Sequence, residues 1–299
     1  MATNMFMDSF IGFLRVEKNY SQHTVRSYVN DLRAFQEFLA GIDESFSFVD
    51  ADFDLVRAWV AGLMDGGAAP ASVARKLSAL RMFYDYLRAE GAVATNPAVS
   101  VKAPKQRKKL PVFVKEDDMD YLLDESVFDE GYGGCRDRMI IMLFYSTGVR
   151  LSELVGLDVG DVDLGKSVIK VFGKRSRERV IPFGAEMKYA MQWYLECRMA
   201  LQSAENALFL SGSGRRVSRS AVYRMVREKL SGVTSIKKKS PHVLRHSFAT
   251  AMLNNDAELG AVKELLGHKR LATTEVYTHL TFEELKRSYN KAHPRAGNN

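Results

Sequence analysis

The sequence predicts a mainly helical protein of two domains, the second of which carries a small β-hairpin. Three observations lead there. Apolar residues recur at helical spacing through the first hundred positions. A basic stretch at 102–111, KAPKQRKKLP, is flanked by prolines and has no helical pattern. One pair of short β-rich runs, between 168 and 182, breaks the helical character of the remainder. The boundaries that follow are a helical domain over 1–103, a basic linker over 104–111 and a second domain over 112–299.

The chain has 299 residues, enough for two domains of ordinary size. A hydrophobic content of 46% with 26% charged residues is that of a soluble globular protein. The richest apolar run, 139–145, ends at Ser146, Thr147 and Gly148, far short of the roughly 18 residues a bilayer span needs. The N-terminus has no basic region and no cleavage site, so no signal peptide is expected. Two cysteines, Cys135 and Cys197, are too few for a disulfide framework and are expected to be buried and reduced. The compartment reads as cytoplasmic, with no membrane partner.

The net charge of +7 is unevenly placed. Residues 1–104 hold 10 Lys/Arg against 12 Asp/Glu, residues 105–110 add four cations, and residues 111–299 hold 29 against 24. Positive charge therefore gathers at the linker and in the second domain, a distribution suited to a polyanion.

Four helices are expected first. Residues 5–17 align Phe6, Phe10, Phe13 and Leu14; a second helix follows Ser21, carries Val25, Tyr28, Leu32, Phe35, Phe38 and Leu39, and should stop at Gly41. A third runs over 54–64 to the Gly66-Gly67 break. The fourth runs over 72–88 with Val73, Leu77, Leu80, Phe83, Tyr84 and Leu87 inward. Short connections make this a compact bundle.

In the second domain, an acid-rich helix opens at 114–123 and an apolar helix at 135–147 should form the central core. The latter delivers Thr147-Gly148-Val149-Arg150-Leu151-Ser152-Glu153-Leu154, where Glu153 lies one turn from Arg150 and can orient it. Residues 168–172 and 179–182 pair as strands around a turn at 173–176 that holds Lys174. Gly173-Lys174 lacks the upstream glycines of a nucleotide-binding loop, which argues against an NTPase. A helix at 186–201 should bury Trp193 and Tyr194. A basic helix at 218–229 bears Arg219, Arg224, Arg227 and Lys229, and Lys237, Lys238 and Lys239 precede the last motif.

That motif, PHVLRHSFATAMLNNDAELGAVKELLGHKRLATTEVYTHL at 241–280, gathers His242 and Arg245 three apart on one helix face, then His268 and Tyr277. Arginine offers a fixed fork of donors to phosphate oxygens, histidine holds or moves a proton near neutrality, and an activated tyrosine is a covalent nucleophile. Such a set suits attack on a phosphodiester. The spacing of His242 and His246 would also suit zinc, but no acid follows His242 to act as base and no cysteine pair helps. His246 and His279 read as structural.

The H-x-x-R, L-L-G-H and Y-T-H signatures, with T-G-x-R-x-S-E-L upstream, resemble those of the tyrosine recombinases, the phage-integrase family. The resemblance covers nearly the whole chain, and KAHPRA at 291–296, with the total length, is similar to the Xer branch. It implies a C-shaped, two-domain DNA clamp whose core-binding and catalytic domains grip double-stranded DNA from opposite sides. It implies that Tyr277 forms a 3′-phosphotyrosyl link, that Arg150 and Arg245 hold the phosphate, that His242 assists the tyrosine proton and His268 donates to phosphate, and that Lys174 is the general acid. Glu153 would support Arg150. The family pattern has glycine after the lysine where this chain has Arg175, which leaves the turn geometry at Lys174 open.

Neither ATP nor metal is implied. Strand exchange implies a homo- or heterotetramer with a related recombinase on paired sites, a translocase as regulator, and a segment near 282–289 that docks in the next subunit. DNA contacts would come from Arg75, Lys76 and Arg81, from His23, Thr24 and Arg26, and from Lys105, Arg107, Lys108 and Lys109 in the linker. The implied task is resolution of chromosome dimers at a dif-like site. The alternatives are a mobile-element integrase or transposase, or a relaxing topoisomerase, with the same chemistry, a catalytically silent DNA-binding module and, third, a metal-dependent nuclease.

Overall fold

The protein is described by a computed structural model covering residues 2–105, 112–173, 178–267 and 281–296, with side chains from Phe6 onward. The chain divides into two compact units, Met1–Lys109 and Leu110–Asn299. Its elements make it mainly helical with one small antiparallel sheet.

The first unit contains α1 (Ala2–Val16), α2 (Gln22–Ile42), α3 (Phe53–Asp65) and α4 (Pro70–Ala89). Ser21 caps α2 by accepting the Thr24 N–H, and Asp52 does the same for α3 from Leu55. Among the boundaries that differ from the sequence expectation, two have a local cause. Gly41 does not end α2, which runs on to Ile42 because one exposed glycine costs a helix only about 1 kcal/mol. Helix α4 starts at Pro70 rather than residue 72, since proline at the first helical position has no N–H to lose.

The faces expected to be apolar converge on one core. Phe10, Leu14, Leu32, Phe35, Phe83 and Tyr84 are fully buried, and the Tyr84 hydroxyl donates to Phe48 O at 2.8 Å. Asp31 is buried within this unit and is paired with Arg75 and with Lys76 at 3.4 Å. The segment after α4 folds back: Arg81 donates to Ala98 O at 3.0 Å and Val101 O at 2.5 Å, and buried Asn96 donates to Arg81 O at 2.9 Å.

The second unit opens with α5 (Glu116–Leu123), whose first-turn acids face the positive end of its own dipole. Then come α6 (Tyr132–Thr147), α7 (Leu151–Gly156), β1 (Val162–Asp163), β2 (Val168–Phe172) and β3 (Glu178–Pro182). Helices α8 (Ala185–Met199), α9 (Arg219–Val233), α10 (Pro241–Asn254), α11 (Leu259–Leu266) and α12 (Phe282–Ala292) complete it. The sheet order is β1-β2-β3, with Val168 opposite Pro182 and Phe172 opposite Glu178. The first of these strands, only two residues long, was not visible in the sequence pattern.

Helix α6 is the centre of this unit. Every residue from Met139 to Thr147 is buried, and it packs on α8 and α10. On α8, Tyr194 is buried as expected but Trp193 is 61% exposed. Adjacent helical residues point about 100° apart, so one apolar face cannot take both. Cys135 and Cys197 are free and half-buried rather than fully buried, and burial, with the Cys197 contact, pushes the Cys135 thiol up to about 12. Among the described residues no helix is long and apolar enough to cross a membrane.

In the C-terminal segment, helix α12 packs on α10, α11 and β3 of its own chain. Leu285, Tyr289 and Ala292 are buried there, and Ala296 O accepts the Ala185 N–H at 3.1 Å. Its apolar stripe finds a complementary surface at home, and Arg295 bridges Glu186 and, at 2.6 Å, Asp120.

Candidate active site

The site is built where α6 ends. Gly148 adopts a left-handed conformation with φ of 58°, and a Cβ there would lie 2.5 Å from Phe248 Cδ1 and 2.7 Å from Leu266 Cδ2. Only glycine closes α6 so tightly against α10 and α11. Buried Val149 then anchors the chain, and Arg150 stands immediately before α7.

Glu153, the third residue of α7, reaches back to accept the Arg150 backbone N–H at 2.7 Å, while its other oxygen accepts Arg150 Nη1 at 2.7 Å. The same carboxylate receives Arg179 from β3, Nη1 on one oxygen and Nη2 on the other, both at 2.8 Å. Strand alternation explains the approach. Arg179 shares a sheet face with Ile181 and sits opposite buried Val171, so its side chain is directed inward.

The three arginines also meet the end of α11. A helix leaves its last carbonyls without intrahelical partners and carries partial negative charge there. Arg179 Nε donates to Leu265 O at 2.9 Å, Arg245 Nη2 to Leu266 O at 2.7 Å, and Arg150 Nη2 to Gly267 O at 2.9 Å. Three consecutive carbonyls thus hold one guanidinium each. Arg245 also donates to Gly148 O, which joins α10 to the α6 terminus. Gly267 is left-handed, with φ of 63°, and a Cβ there would press on the Arg179 guanidinium at 3.2–3.3 Å.

Three guanidiniums lie close to one carboxylate, which among the described residues leaves net positive charge. Burial alone would raise the Glu153 pKa, but hydrogen bonds from Arg179 and the Arg150 backbone outweigh it and hold the carboxyl down at about 2. Burial, then repulsion from Arg150, lowers Arg245 to about 10, so it stays charged at neutral pH. The Arg150 side chain is 36% exposed, and two of its five N–H donors are used in the contacts above. Such a centre suits an incoming phosphate oxygen.

His242 lies in the first turn of α10, one turn before Arg245, and is exposed. Desolvation pushes its imidazole below the ordinary value, and Lys238, His246, Arg245 and Arg150 add to the shift. It is therefore neutral near pH 7 and able to accept a proton. His246, expected to be structural, is exposed on the same helix.

The structure brings together Arg150, Glu153, His242 and Arg245 of the residues singled out in the sequence. Lys174, His268 and Tyr277 lie outside the described residues, as do His279 and Arg107, Lys108 and Lys109. Lys105 is exposed. Of the candidate DNA contacts in α4, Arg75 and Lys76 pair with Asp31 and Arg81 holds the Ala98 and Val101 carbonyls. On the basic helix α9, Arg219, Arg224 and Arg227 are exposed, but Lys229 donates to Val127 O at 2.8 Å.

Arg179 is the residue the sequence reading passed over. An arginine in the inward phase of a strand was the available signal, but its carboxylate partner lies 26 residues away.

Comparison with known proteins agrees with this architecture. Residues 113–284 match the Phage integrase family, and residues 7–91 match the Phage integrase, N-terminal SAM-like domain. The chain is 40% identical to tyrosine recombinase XerC of Pelotomaculum thermopropionicum, over 97% of this chain and 98% of that one. It is 34% identical to tyrosine recombinase XerD of Staphylococcus epidermidis, over 98% and 100%. The fold is shared with XerH site-specific recombinase bound to a palindromic difH substrate, with TM-score 0.73 and 20% identity over 96% of this chain and 81% of that one. With the family model and the relatives spanning nearly its full length, this chain belongs to the phage integrase family and is a site-specific tyrosine recombinase that breaks and rejoins DNA.

Proposed function

We propose that this recombinase resolves chromosome dimers by exchanging strands between two copies of a dif-like site during chromosome segregation. The observation that carries the chemistry is the convergence of Arg150, Arg179 and Arg245 on Glu153 and the end of α11, which leaves excess positive charge beside a neutral histidine. The Xer names of relatives that span the full chain support the cellular role.

In this reading Tyr277 attacks the scissile phosphate and displaces a 5′-hydroxyl, leaving a 3′-phosphotyrosyl bond. Arg150 and Arg245 hold the non-bridging oxygens and stabilise charge in the pentacoordinate transition state. Neutral His242 assists removal of the tyrosine proton, His268 donates to a phosphate oxygen, and Lys174 protonates the leaving 5′-oxygen. One phosphoester replaces another of similar energy, so the exchange needs no ATP.

The domain reading is a core-binding domain over 1–103, a linker over 104–111 that crosses the DNA backbone with Lys105, Arg107, Lys108 and Lys109, and a catalytic domain over 112–299. Four protomers, this chain alone or with a related recombinase, assemble on paired duplex sites in the cytoplasm under control of a DNA translocase. Arg75 and Lys76 serve DNA only with charge left over from Asp31.

The test is covalent trapping on sheared, nicked genomic DNA of the source organism in the presence of chelator, with Tyr277→Phe as control. Adducts from the wild type alone, concentrated at one chromosomal locus, are expected. A locus at the edge of a mobile element would favour the integrase alternative. Equal recovery from the variant, or no adduct where DNA is bound, would favour the silent module.

A further inference from the structure

We infer that Arg179 is a positioning residue of the strand-cleavage reaction, aligning Arg150 and the segment leading to His268 through one guanidinium. The inference rests on the assignment of Arg150 and His268 to the scissile phosphate given above.

Four observations support it. Arg179 makes a two-pronged pair with Glu153, and the same Glu153 oxygen that accepts Arg179 Nη1 also accepts Arg150 Nη1. The carboxylate thus lies between two guanidiniums, and its position is set from both sides. Arg179 Nε holds Leu265 O, two residues before the Gly267 carbonyl that receives Arg150. The side chain is only 16% exposed, so it is placed to act on its neighbours rather than to grip DNA. Finally, it rises from β3, which pairs antiparallel with β2 and begins four residues after Lys174 in the sequence.

Arg179 therefore ties together three parts of the site that come from separate stretches of chain: the hairpin, the α7 start and the α11 end. Only a planar fork with donors on three nitrogens can engage a carboxylate by two of them and a carbonyl by the third. Lysine, a point charge on a flexible stem, can satisfy the carboxylate but not the carbonyl at the same time. Without the fork, Glu153 can rotate toward Arg150, draw its guanidinium away from the phosphate and leave Leu265 O unpaired. Misplacement of a reacting group by about 1 Å can cost about 100-fold in rate.

The experiment uses the full chain and a nicked duplex carrying the genomic sequence recovered from the covalent adducts. Two versions are compared, one with the normal scissile phosphate and one with a methylphosphonate, in which a methyl group replaces a charged oxygen. Single-turnover adduct formation is measured for wild type, Arg179→Met and Arg179→Lys, together with DNA affinity and thermal unfolding. On the phosphate, Arg179→Met should cleave about 100-fold more slowly and Arg179→Lys about 10-fold more slowly, with affinity within about 3-fold of wild type.

On the methylphosphonate, where Arg150 has less charge to neutralise, the gap between each variant and wild type should shrink at least about 10-fold for Arg179→Met and vanish for Arg179→Lys. Equal losses on both substrates would mean that Arg179 serves only the fold and would overturn the inference; unchanged cleavage of the phosphate by either variant would do the same. If Arg179→Met does not fold, the comparison for Arg179→Lys decides alone. Absence of adducts from the wild type, or their persistence in Tyr277→Phe, would instead strike the catalytic assignment on which the inference rests.

Discussion

Glu153 is a buried carboxylate held by Arg179 and Arg150, and its ionised form is what keeps those two guanidiniums close together. Removing one partner of a buried pair leaves the other charge desolvated and unmatched, at a cost of about 3–5 kcal/mol. Glu153→Gln should therefore destabilise the catalytic unit by about that much in urea unfolding, although its shape is nearly unchanged. A loss below about 1 kcal/mol would mean that the Arg179 and Arg150 contacts contribute little. At this scale the sequence was informative where partners lie within one helical turn, as Arg150 and Glu153 do. It was silent on Arg179, whose partners are Glu153 and Leu265, because nothing local joins them.

Among the elements, α12 and the residues after it pack closely on the catalytic core of their own chain. His293 is buried among Tyr145, Phe248 and Tyr289, with Nε2 against Tyr145 O at 3.1 Å and Nδ1 accepting the Arg295 N–H at 3.1 Å. Both ring nitrogens are used by the neutral form, and burial holds its pKa down at about 4. As pH falls below the ordinary 6.5, the unfolded chain takes up this proton and the folded chain does not. Stability contributed by His293 is thus complete above 6.5 and declines between 6.5 and 4, by up to about 3 kcal/mol. Urea unfolding at pH 7.5, 6.5 and 5.5 should lose less on acidification in His293→Gln than in wild type; parallel losses would contradict this.

The sequence reading did not assign this segment a surface on its own chain. An apolar stripe fits a neighbour's surface or its own chain's equally well until the fold supplies one. The same limit explains Trp193, which has the composition of a core residue and the helical phase of a surface one. The β2–β3 hairpin was legible because its alternation is local, whereas β1 is too short to show any.

For the whole molecule, charge is the property that the sequence alone determines well. The first 104 residues are slightly acidic, and four cations fall within 105–110. If that linker crosses the DNA backbone, replacing Lys105, Arg107, Lys108 and Lys109 by Gln should reduce the slope of log affinity against log salt by about 0.9 for each phosphate released. An unchanged slope would make the linker a solvated connector. What composition could not reveal is the arrangement of arginines around the end of α11, because it depends on three chain segments meeting in space.

The central claim is that Tyr277 carries the DNA. The measurement that tests it most directly is mass spectrometry of the trapped adduct after nuclease and protease digestion, with the DNA ends mapped in parallel. The expected result is a nucleotide on the peptide containing Tyr277, attached through its 3′-phosphate, and a free 5′-hydroxyl on the other strand end. A nucleotide on any other residue, a 5′-linked adduct, or cleavage with no adduct at all would contradict it.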